Sequence, residues 1–223
     1  MGGAKVGSMP PLHDTGDAAA SGLASVEHAA ALEIAAASDM RVRGTVLMAF
    51  RHAAIASWGE DGLRELGALL SEPTRRETVD IAAGNLDWMP ETYVFEWYNA
   101  VWHGPCRTRR ELFLKFLNRM IDAGFGRVRK TMIALASPAT VLKKAPALWQ
   151  HDHSHGTLNL IALEPDSAKV SLTAHPYTET SLARLATAEI YRYCLALCRV
   201  RDVVEVHYRE PNGTFVVCLR WTT

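Results

Sequence analysis

Charge of one sign is missing from this sequence: 24 Lys+Arg face 24 Asp+Glu in 223 residues, for a formal net charge of zero. Nucleic-acid binding rests on clustered positive charge, so no such partner is expected. Long apolar runs are missing too. None reaches the ~18 residues of a bilayer span, and the first residues hold no continuous apolar stretch of a secretory signal. Cysteine is scarce, with four residues at 106, 194, 198 and 218. Cys194 and Cys198 stand one helical turn apart, an awkward separation for a disulfide, and no CxxC zinc knuckle occurs. Reduced thiols packed as small hydrophobes, in the cytoplasm, are the expectation. There is no G-x-S-x-G elbow, and Gly124-Phe-Gly126 lacks the third glycine of a phosphate cradle.

What is present suffices for an ordinary core: 48% of residues are apolar and 22% charged. Residues 1–39 are alanine-rich, without an aromatic, and read as a flexible or weakly helical arm. Residues 40–223 read as one domain. Helical spacing runs from Arg43 to Trp58, with Gly59 as a stop, and resumes at Asp61-Gly62. Thr74-Arg-Arg-Glu77 has the capping-box spacing. Further helices are expected up to His103, from Thr108 with a break at Gly124–Gly126, and from Ser137-Pro138 to about Pro146.

After Trp149 the period falls from about 3.6 to 2. Strands are expected at 156–163 and 168–174, a helix at 179–199, and a hairpin joining 203–209 to 214–221. The fold class follows: α+β, with a helical layer (40–149) packed on a four-stranded antiparallel sheet in β-β-α-β-β order (150–223).

Three groups of residues carry candidate chemistry. If the run His151-Asp-His-Ser-His155 is extended, His151, His153 and His155 project to one side. With a carboxylate or further histidine from another strand they could hold zinc or iron, and His175 and His207 lie near predicted strands. The competing reading is a solvated loop. Trp97, Tyr98 and Trp102, with Tyr193 from the late helix, form either ordinary core or the wall of an apolar ligand pocket. Arg107, Arg109 and Arg110, near a helix start, suit an acidic partner or simply face solvent. Cys106 beside them meets conditions that lower a thiol pKa, though with no base in view. His103 is either a helix-end residue or an axial haem ligand.

Several short motifs also carry a resemblance: Arg41-Val-Arg-Gly-Thr-Val-Leu, Gly59…Gly62-Leu, Trp88-Met-Pro90, Leu135-Ala-Ser-Pro138…Val141-Leu-Lys-Lys144, Leu148-Trp149 and Gly213…Trp221. Over residues 40–221 they resemble a much-duplicated group of uncharacterised myxobacterial proteins. The β-β-α-β-β end is similar to the 4-vinyl reductase type of small-molecule-binding domain, a relative of haem–nitric-oxide sensor domains. That likeness implies a non-catalytic ligand-binding or signalling module. Those sensors grip the haem propionates with a Tyr-x-Ser-x-Arg string that is absent here, so haem is not expected. The clustered terminal cysteines of the reductase type are reduced to Cys218.

The leading expectation is a small-molecule-binding or regulatory module for a small apolar ligand or a protein partner. The alternatives are a metal-dependent enzyme using His151, His153 and His155, and a homodimer or larger scaffold paired through the final hairpin.

Overall fold

The computed structural model describes residues 17–81, 84 and 86–222, with side chains from 27 onward. Helix α1 (Asp17–Ala37) leads into the short strand β1 (Arg41–Arg43) and helix α2 (Gly44–Gly67). Next come α3 (Glu72–Arg75), a π-helical turn over Arg76–Asp80, β2 (Trp88–Pro90) and α4 (Thr92–His103). Helices α5 (Arg110–Leu135) and α6 (Pro138–Asp152) complete the helical half. Strands β3 (Thr157–Leu163) and β4 (Ser167–Thr173), a 3-10 turn at Pro176–Thr178, α7 (Ser181–Leu197), β5 (Arg201–Arg209) and β6 (Phe215–Thr222) form the second half.

The fold is α+β, and its four-stranded sheet is antiparallel in the order β3-β4-β6-β5. Alternation fixes which side is dry: Ala168, Val170 and Leu172 of β4 and Phe215, Val217, Leu219 and Trp221 of β6 are all buried. Val204 and Tyr208 of β5 do share a face, as their period demands, but that face is exposed. Since β6 lies between β4 and β5, the free edge of the final hairpin belongs to β5.

Glycine sets two of the helix breaks. Gly59 (φ 72°) interrupts α2 and Gly126 (φ 61°) interrupts α5, both left-handed positions that favour a residue without Cβ. The expected capping box at Thr74 is not formed. The helix starts two residues earlier, at Glu72-Pro73, so Thr74 lies inside it and accepts a hydrogen bond from Ser71 Oγ. Glu77 instead pairs with Arg76.

Residues 17–37, expected to be at most weakly helical, form α1 and pack through Ala31 and Ala35. Glu27 ties the helix to α7, accepting from the Ser181 amide at 2.8 Å and lying 3.6 Å from Arg184. His28 meets the Phe95 ring edge-on at 6.4 Å. Burial lowers the His28 pKa from 6.5; Glu96 opposes this shift and His103 adds to it. Below pH 6.5 a released α1 therefore takes up protons more readily than a docked one, and docking weakens as the pH falls. Hydrogen-exchange protection over residues 27–37 should drop between pH 7.5 and 5.5, and His28→Gln should flatten that dependence.

Candidate functional site

Two features converge where the layers meet. The first is built by a small backbone lattice. β1 pairs antiparallel with β2 (Val42 opposite Met89), and the Glu91 amide donates to the Met40 carbonyl at 2.9 Å, which places Glu91 beside β1. On the other side of β1, Val42 bridges His153, the Ser154 amide donates to the Arg41 carbonyl (2.9 Å), and the Arg41 amide donates to Ser154 Oγ (2.8 Å). His175 arrives from the end of β4 through Ala174, whose φ of 52° turns the chain inward. Gly156 closes over it: a Cβ there would lie 2.8 Å from His175 Cβ and 3.0 Å from Cδ2.

The result is a buried cluster. Both carboxylate oxygens of Glu91 lie 3.4 Å from His153 Nδ1, and Oε2 lies 3.9 Å from His175 Nε2. The Glu91 and His175 side chains are fully buried and that of His153 is 9% exposed. Burial pushes the Glu91 carboxyl up, but the His153 and His175 imidazoles and the Tyr177 hydroxyl outweigh it and hold the group below its usual range. Burial pushes His175 down to about 3, with Glu91 acting the other way, so its ring is neutral at physiological pH. Trp149 stacks on His153 at 4.0 Å and meets His175 edge-on at 5.0 Å.

The second feature is a cavity of about 240 Å³ between α2, α5, α6, α7 and β3. Its wall is largely apolar, with Val46, Ala49, Ile121, Phe125, Val141 and Leu158 among the lining residues, while Arg129, His151 and Asp152 supply polar groups. Trp149, His153 and Tyr177 border both the cavity and the polar cluster.

The histidine run is not extended. Pro146 was expected to end α6, yet the helix continues through it to Asp152, held down on the core by Leu142 and Trp149. His151 therefore sits in the last helical turn, exposed, with Nδ1 on the Asp152 carboxylate at 2.8 Å. His155 is also exposed, its Nδ1 2.8 Å from Ser154 Oγ, and its carbonyl accepts from Trp149 Nε1 at 3.0 Å. Of His151, His153 and His155, only His153 enters the cluster, and its companions are Glu91 and His175. His207 pairs with Glu205 on β5.

The aromatic residues divide as well. Tyr98 lines the cavity, and Trp97 and Trp102 do not. Trp97 is fully buried, donating from Nε1 to Thr78 Oγ1 at 3.0 Å, and Trp102 packs edge-on to Phe113 at 5.4 Å. Tyr193 donates its hydroxyl to Asp122 Oδ1 at 2.7 Å; α7 presents Ile190, Tyr191 and Cys194 to the cavity in its place.

Arg107, Arg109 and Arg110 are exposed around the start of α5, and Arg109 pairs with Glu111 at 2.6 Å. Cys106 beside them is buried, and burial followed by Glu111 pushes its thiol up to about 11, the opposite of activation. Glu91 and His175 were not singled out as a pair in the sequence. They are far apart in the chain, and neither lies in a local motif.

No protein-family model and no curated protein matches the chain. Solved structures do. The Fe(II) unliganded H-NOX protein from K. algicida superposes with a TM-score of 0.60 at 7% identity, over 81% of this chain and 97% of its own. An oxygen-binding H-NOX domain related to soluble guanylate cyclases, in its oxygen complex, gives 0.58 at 12% identity over 81% and 95%. A structure from work on haem distortion in the H-NOX family gives 0.57 at 13% identity over 81% and 95%.

The residues present do not fit a haem. Pockets that enclose a drug-sized ligand begin at about 300 Å³, and a porphyrin is large for that class. Burial pushes the Cys194 thiol up to about 12 and also raises the pKa of Tyr98, Tyr177 and Tyr191. His153 is stacked on Trp149 and engaged with Glu91, and His103 is exposed at the end of α4 and off the cavity wall. The chain shares the α+β fold of these H-NOX domains without a cavity wall suited to haem.

Proposed function

We propose that this protein is a non-catalytic, small-molecule-binding module of regulatory type, which takes a small apolar ligand into the cavity between the helical layer and α7. The observation that carries the reading is the cavity itself: an apolar hollow at a layer junction, with a few polar groups at its border, is the usual form of a ligand site. The fold it shares with H-NOX domains, one of them oxygen-binding, supports a sensing role, as does the motif-level likeness to myxobacterial proteins and 4-vinyl reductase domains. The protein acts in the cytoplasm, where its thiols stay reduced. Arg107, Arg109 and Arg110 offer an acidic partner, or a second copy, a place to receive the signal.

The test uses an apolar fluorescent dye, N-phenyl-1-naphthylamine. It should bind saturably, with one dye per chain. Ala145→Phe, which fills the cavity from α6, should weaken binding at least tenfold, and Ala147→Phe on the exposed side of the same helix should leave it unchanged. Equal binding by both variants, or no saturable binding by the unaltered protein, would remove the reading. Haemin titrated in parallel should form no stoichiometric complex.

A further inference from the structure

We propose that Glu91, His153 and His175 form a binding site for a divalent transition-metal ion, with zinc as the reference ion. The inference is independent of the apolar ligand.

Three arguments converge. The first is distance. Metal bonds of about 2.0–2.2 Å in a tetrahedral shell hold neighbouring donors about 3.3–3.6 Å apart. Here the carboxylate lies 3.4 Å from His153 Nδ1 and 3.9 Å from His175 Nε2, and all three donor atoms fall within 4.8 Å of one another. Closing the 3.9 Å gap asks for a shift of a few tenths of an ångström, and the gap between the two imidazole donors, which is at most 4.8 Å, for a shift of up to about 1.5 Å.

The second argument is unmet bonding. Among the described residues Glu91 Oε1 and His175 Nε2 are buried atoms that have no hydrogen-bond partner, and such groups in a dry interior call for an ion or a water. The third is donor type. Two imidazoles and one carboxylate leave open positions on the ion, as in catalytic zinc sites and in the facial triad of non-haem iron. His175 also borders a second hollow of about 410 Å³, with Met40, Ala174 and Asn212, while its side chain stays fully buried.

Proton accounting sets the cost. His175 Nδ1 now accepts the Tyr177 amide hydrogen at 3.2 Å, so the proton of its neutral ring sits on Nε2. Metal binding at Nε2 moves that proton to Nδ1 and deprives the Tyr177 amide of its acceptor. His153 likewise must carry its proton on Nε2, so that Nδ1 offers a lone pair. Losing one backbone hydrogen bond is a small fraction of what a divalent ion gains from three protein donors. A water molecule bridging Glu91 and His175 is the competing occupant, and it leaves the proton where it is.

The experiment titrates the full-length chain, stripped with a chelator, with Zn²⁺ and with Co²⁺. One ion per chain is expected, with visible d–d absorption for cobalt. His175→Ala and Glu91→Gln should each weaken binding at least tenfold, while His151→Ala and His155→Ala should stay within twofold of the unaltered protein. The proposal is overturned if neither ion binds, if His175→Ala binds normally, or if either control removes binding. Should the cluster variants fail to fold, X-ray absorption on the zinc-loaded unaltered protein decides. Two imidazoles in the shell support the site, and one or none overturns it. Failure here leaves the dye result, and the reading it tests, untouched.

Discussion

Trp97→Ala is expected to lower the unfolding free energy by about 3–5 kcal/mol, the range for emptying a fully buried aromatic position. Trp97 is enclosed on all sides, packs 5.7 Å from Phe50, and gives its indole hydrogen to Thr78 Oγ1. Removing it opens a void at the centre of the helical layer and takes away the donor to Thr78. Trp97→Phe restores part of the volume and should cost less. Urea unfolding followed by far-ultraviolet circular dichroism measures both. Because Trp97 is not on the cavity wall, Trp97→Phe should leave dye affinity within twofold; a larger loss would mean that the indole shapes the cavity from behind.

Gly156→Val should cost about 3 kcal/mol, for two additive reasons. The backbone at 156 has φ 81°, where a β-branched residue is strained, and any Cβ there overlaps the His175 ring. Gly156→Asn separates the two causes. Asparagine tolerates a positive φ but still carries a Cβ, so it should lose only the steric share and fall between glycine and valine. If asparagine were neutral, the closeness of Gly156 to His175 would not matter. The midpoint of urea unfolding should fall in both variants with an unchanged slope.

The α+β order was legible because period-2 alternation is a strong local signal once one face of a sheet is dry. Val170 and Leu172, and Phe215, Val217 and Leu219, declared their strands before any partner was known. The stop at Pro146 was misread, since proline normally ends a helix from within. Tertiary burial of Leu142 and Trp149 on either side of it overrides that preference, and this one error displaced the whole histidine run. Helix α1 was underrated because alanine buries little area per residue. The contacts of Glu27 with Ser181 and Arg184, which help dock it, lie far along the chain. His175 stood out in the sequence only as one of two histidines near predicted strands, and Glu91 did not stand out as a ligand. They meet because β1 pairs with β2 on one side and bridges His153 on the other, and because Ala174 turns the chain at the end of β4. Pairing of this kind depends on the fold and cannot be read from spacing.

The Trp149 indole is part of a shared wall, with His153 and Tyr177. One side of its surroundings is the apolar hollow and the other is the stack on His153. A guest that displaces the indole must also disturb the imidazole, and whatever fixes the imidazole stiffens the indole against a guest. If an apolar guest and an ion both bind, they meet at the side chains of Trp149, His153 and Tyr177 that the two compartments share. The free energy by which the first occupant helps or hinders the second must equal that of the reverse order.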